Sequence, residues 1–81
     1  MHGIFPNPTN GPLNIVYEVP EGVEHAEVRI MDALGQLAYR SNLTGQGVVQ
    51  FSPPVNATGL HIVGLYLDGQ LYATEKVTLV K

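Results

Sequence analysis

Acid–base, nucleophilic or metal chemistry in this sequence would have to come from His2, His25 and His61, from the hydroxyls of Ser41 and Ser52, and from seven carboxylates. A metal centre needs three or four ligands converging at fixed spacing. His25 stands beside Glu24 and near Glu27, but no ligand spacing links these residues to His2 or His61. A nucleophilic hydroxyl needs a base held by a third group, and neither serine has a histidine or aspartate close to it in sequence. Paired carboxylates for glycoside hydrolysis need a cleft around them, for which a short chain has little room. The residues therefore read as a non-enzymatic protein, with no catalytic residues, no metal site and no cofactor.

Other residues of note read first as turns. Asp32-Ala33-Leu34-Gly35 has an aspartate to accept hydrogen bonds from the backbone of the turn it opens, and Gly35 to take a left-handed conformation. One carboxylate falls far short of the oxygen set that calcium requires. Asp68-Gly69 is a second turn signal, with positive φ expected at Gly69. Tyr66 and Tyr72 flank that turn and could present rings to a sugar, although half-wet tyrosines are ordinary on sheets. Asn42-Leu43-Thr44 and Asn56-Ala57-Thr58 match the glycosylation triplet, a pattern frequent by chance.

The elements that position these residues are strands. Leu13, Ile15, Tyr17 and Val19 alternate with Asn14, Val16 and Glu18, and Ala26, Val28 and Ile30 alternate with Glu27, Arg29 and Met31. Such alternation places one set of side chains on one sheet face. Turn signals recur every eight to twelve residues, the rhythm of an all-β sandwich. The expected strands are 3–5, 13–19, 25–31, 36–42, 47–52, 60–67 and 70–80, with 53–58 crossing between sheets. The expected core is Leu13, Ile15, Tyr17, Val28, Ile30, Leu37, Val49, Phe51, Val63, Leu65, Val77 and Leu79. Two prolines confine Pro6-Asn7-Pro8 to an extended lead-in, at most an edge strand.

The last hairpin admits two registers. A two-residue turn at Asp68-Gly69 pairs Leu67 with Gln70 and sets Val63 and Leu65 on a face with Thr74 and Tyr72. A three-residue loop, Asp68-Gly69-Gln70, with a bulge instead groups Val63 and Leu65 with Leu71, Ala73, Val77 and Leu79. The second collects more apolar side chains on one side and is the expected arrangement.

Composition bounds the rest. Hydrophobic residues make up 44% and charged residues 14% of the 81 positions, which fits one folded domain rather than a disordered chain. A chain of this size buries roughly 60–65% of its unfolded surface, so the core is thin. There is no cysteine. A net charge of −3 with four basic residues argues against nucleic acid. No apolar run approaches the ~18 residues of a membrane span. Residues 1–4 are expected to be an expression remnant or the end of a linker, and 5–81 the domain.

The order Pro6-Asn7-Pro8, Gly11, Leu13-Asn14-Ile15, Val28-Arg29-Ile30-Met31-Asp32, Gly35-Gln36-Leu37, Gly59-Leu60-His61-Ile62-Val63, and finally Lys76 and Lys81, resembles the C-terminal sorting domain of type IX secretion system cargo. It departs from that pattern at His61, where the family more often has tyrosine, and at Gly64, where a basic residue is common. The resemblance covers residues 5–81 and implies an immunoglobulin-like antiparallel β-sandwich of about seven strands. It implies a secretion signal that takes an N-terminal cargo domain, through the periplasm, across the outer membrane of a Gram-negative bacterium to the cell surface or beyond. It also implies contact with an outer-membrane translocon and shuttle proteins, and removal by a sortase-like cysteine peptidase. Pro6, Asn7, Pro8, Gly59, Lys76 and Lys81 become candidates for partner recognition, and exposed sheet edges would allow a strand-mediated dimer. The competing reading is an accessory carbohydrate- or protein-binding module on the same sandwich.

Overall fold

A computed structural model of the chain describes residues 3–5, 10–54 and 57–80. It is all-β: β1 (Gly3–Phe5), β2 (Leu13–Glu18), β3 (Ala26–Met31), β4 (Leu37–Leu43), β5 (Gln46–Phe51), β6 (Gly59–Leu67) and β7 (Gln70–Leu79). Each bound lies within one residue of the expectation, because the alternation and the turn residues point to the same boundaries. Among the described residues there is no helix.

The strands form two antiparallel sheets, β1-β2-β5 and β4-β3-β6-β7. This is consistent with an immunoglobulin-like sandwich. In the constant-type immunoglobulin arrangement the fourth strand joins the first, second and fifth; here β4 pairs with β3. The chain changes sheet between β2 and β3, between β4 and β5, and between β5 and β6. The first of these links is tied to the second by the Val19 N–H, which donates to the Gly45 carbonyl at 2.7 Å.

Leu13 and Ile15 of β2 face Val28 and Ile30 of β3, Val63 and Leu65 of β6, and Val77 and Leu79 of β7 in one apolar cluster. Phe51 joins them, and its ring lies 5.3 Å from that of Tyr39, across the sheets. Tyr17 and Val49, expected in the core, are half-buried against it. The core also takes in Ile4, Ala26 and Leu43, and one polar residue, His61, at 6% exposure.

Leu37 is a correction. It is 52% exposed. Tyr39 pairs with Ile30 and Leu37 with Met31, so Ala38 is an extra residue on β4 and a bulge separates the two pairs. That single insertion turns Leu37 to the outer face.

The last hairpin corrects the expected loop but keeps most of its face. Leu67 pairs with Gln70, so the turn is the two-residue one, with φ of 50° at Asp68 and 82° at Gly69. Positive φ at both positions is the type I′ signature. The bulge comes one pair further in, where Tyr66 pairs with Leu71 and Leu65 with Ala73, leaving Tyr72 as the extra residue. From Ala73 onward the register puts Ala73, Val77 and Leu79 on the core side with Val63 and Leu65. Leu71 lies before the bulge and is exposed on the outer side.

Candidate functional site

Of the residues singled out for recognition or turns, the described ones, Asp32, Gly35, Gly59, Lys76, Asp68 and Gly69, fall toward the two ends of the four-stranded sheet. At one end lies the 32–35 turn, because Met31 pairs with Ile62, close to the start of β6. Asp32 acts as expected there: its Oδ1 accepts from the N–H groups of Leu34 and Gln36, both at 2.9 Å. The Gly35 N–H donates to the Asp32 carbonyl at 3.0 Å, and Gly35 has φ of 82°. Gly59 sits at the same end, pairs with Leu79, and has φ of 92°. Lys76 pairs with Ile62 on β6, within a few residues of Gly59. Gly59, Lys76 and the Asp32 turn thus lie toward the same end of the four-stranded sheet, on β6, on β7 and after β3.

Asp68 and Gly69 lie at the opposite end, near the loop that follows β2. The Asp68 Oδ1 accepts from the N–H groups of Glu24 and His25, at 3.0 and 2.9 Å, and the Asp68 N–H donates to the His25 carbonyl at 2.7 Å. Asp68 therefore ties two loops together as well as forming its own turn. Nothing local in the sequence signals this partnership, since the partners are more than forty positions apart. Pro6, Asn7, Pro8 and Lys81, with His2 and Asn56, lie outside the described residues.

The histidines separate by environment. His25 is exposed in a loop. His61 points into the core opposite Val77, and its Nδ1 lies 3.2 Å from the Gly59 carbonyl. Among the described residues, no group of three His, Asp or Glu side chains could hold a metal ion.

On the outer face of the four-stranded sheet, sequence reasoning missed a charged cluster. Arg29 bonds Glu27 Oε1, and Arg40 Nε lies 3.1 Å from Glu27 Oε2. The Arg29 guanidinium stacks 4.2 Å from the Tyr66 ring centroid. Tyr66 itself leans over Gly64, where an added Cβ would come within 3.0 Å of its ring. A glycine opposite Arg29 leaves room for the ring to lie down on the sheet. Beside this cluster is a shallow hollow of about 260 Å³, lined by His25, Ala26, Glu27, Asn42, Tyr66 and Gly69. The signal for the cluster was the i, i+2 spacing of Glu27 and Arg29 on one strand face; its third member required the β3–β4 register.

The arrangement offers turns held by side-chain carboxylates, sheet borders and an outer charged face, which are features for being bound. No curated protein and no solved structure gave a significant match to the chain. A family model described as the secretion system C-terminal sorting domain matches residues 3–78. That span takes in every strand except the final residue of β7, and it includes Gly3 and Ile4 of β1. The chain belongs to the C-terminal sorting domain family of the type IX secretion system.

Proposed function

We propose that this domain directs an attached N-terminal cargo across the outer membrane and is then removed by a sortase-like cysteine peptidase. The family match over residues 3–78 carries this reading. Sorting domains of this family are signals rather than catalysts. The proposed partners are the translocon and shuttle proteins on one side and the cargo domain on the other. The cargo passes through the periplasm and ends at the cell surface or in the medium.

The recognised end is placed, in this proposal, at Gly59, Lys76 and Lys81, with the Pro6-Asn7-Pro8 segment as a second contact. The left-handed backbone of Gly59 beside the end of β7 supports this choice, because it fixes a turn shape that side chains rarely adopt. The sugar-binding alternative loses support at Tyr66, whose ring lies against Gly64 and carries Arg29.

Fusing the domain behind a periplasmic reporter in a bacterium competent for type IX secretion tests the reading. The reporter is expected outside the cell, and mass spectrometry is expected to find it without the domain. Lys76→Gln with Lys81→Gln, and separately a short extension past Lys81, should block export while leaving the melting temperature nearly unchanged. A folded fusion that stays in the periplasm overturns the export reading. A secreted reporter that keeps the domain overturns only the removal step.

A further inference from the structure

The chain as a whole is acidic, yet its charges are sorted by the sheet register. Val28 and Ile30 point inward, so Arg29 points outward; Arg40 pairs with Arg29, and Lys76 pairs with Ile62, which alternates with buried His61 and Val63. All three arginine and lysine residues among those described therefore share the outer face of the four-stranded sheet. Among the described residues, Glu27 is the one Asp or Glu side chain placed on that face by the register. Glu18 lies on the other sheet, Glu21, Glu24, Asp32 and Asp68 lie in loops and turns, and Glu75 pairs with inward-facing Val63. A net charge of −3 over the molecule thus conceals one positive face.

We propose that this face docks an acidic polypeptide segment that also carries apolar side chains. Two observations select that chemistry. First, Arg29 and Arg40 stand directly opposite each other, an arrangement that by itself is destabilising. One glutamate bridges them, so the pair keeps a surplus positive charge that a purely structural ion pair would not need. Arg29 is held between Glu27 and the Tyr66 ring, which reduces the ordering cost of receiving a carboxylate. Second, the adjacent cross-strand row runs Leu37, Met31, Ile62, Lys76, so an apolar strip lies alongside the arginines and ends in a cation. An acidic glycan would match the charges and leave that strip uncovered. The inference stands on this placement of charge and does not depend on the export reading.

The test is an amide-resolved NMR titration of the whole chain with a short end-blocked peptide alternating Glu and Leu. A Lys/Leu peptide, polygalacturonate and phosphatidylglycerol vesicles serve as competing probes. The Glu/Leu peptide is expected to shift amides around Arg29, Arg40, Ile62 and Lys76, and to bind less well as salt is raised. Arg40→Glu, an exposed change, should weaken it about tenfold with the melting temperature held. Leu37→Ser should weaken it as well, which a charge-only contact would not do. Three results would each overturn the proposal: no shift at this face, equal binding of the Lys/Leu peptide, or preference for polygalacturonate or the vesicles.

Discussion

Asp68 and His25 exchange hydrogen bonds: the His25 N–H donates to the Asp68 carboxylate at 2.9 Å, and the Asp68 N–H donates to the His25 carbonyl at 2.7 Å. The pair joins the β6–β7 turn to the segment entering β3. Asp68 also holds φ of 50°, which aspartate tolerates better than most residues. Asp68→Ala loses both advantages and should cost ~1–3 kcal/mol. Asp68→Gly restores the backbone freedom alone, and Asp68→Asn keeps an acceptor as well. Urea midpoints should therefore rank Asn above Gly above Ala. Identical midpoints for Ala and Asn would remove the loop-to-loop link from the account.

Ile30 and Leu37 are expected to differ sharply although both read as core residues in the sequence. Ile30 is almost fully buried between the sheets. Its truncation to Ala should cost ~2–5 kcal/mol, a large share of what a small domain has. Leu37→Ala, beyond the Ala38 bulge, should stay within ~0.5 kcal/mol. Chemical denaturation of the two variants side by side checks this, and a large loss at Leu37 would mean that the bulge is misplaced.

Gly35→Val should destabilise more than Ala33→Val. An added Cβ at Gly35 would meet nothing within 4 Å, so crowding is not the cause. The cost comes from φ of 82°, where a left-handed L-residue is penalised by roughly 1–2 kcal/mol. Gly35→Asn should fall between the two. Thermal melts giving the same value for both valine variants would count against the turn argument.

Gly64→Val tests the resting place of Tyr66. The new side chain would press on Tyr66 Cε1 and on Leu71 Cδ1, at 3.0 and 3.3 Å from its Cβ. The ring should lift, and the Arg29 side-chain proton resonances should lose their ring-current shift. Unchanged Arg29 resonances in a folded variant would show that the stack does not depend on the glycine.

The strands were legible because alternation and turn residues agree at each boundary, as for Ile30 before Asp32 and Leu65 before Asp68. The bulge at Ala38 was not legible, since that residue fits an unbroken alternation as well as an interrupted one; the bulge of the last hairpin was expected from the apolar face it gathers, but within a three-residue loop rather than at Tyr72. His61 lies in phase with Val63 and Leu65, but a polar ring gave no reason to place it inward. The positive face was invisible in the total charge. It emerges only when the β3–β4 and β6–β7 registers bring residues from three strands to one side.

The two bulges lie on β4 and β7, the border strands of the larger sheet, one pair in from the 32–35 turn on β4 and two pairs in from the Asp68-Gly69 turn on β7. A bulge breaks the even spacing that a neighbouring strand would have to follow. A strand laid along β7 could therefore keep step only between Ala73 and Leu79, zipping from the Leu79 end and stalling at Tyr72. The border has a direction and a stopping point. It has room for one guest of limited length, and it resists growing, copy upon copy, into a continuous ribbon.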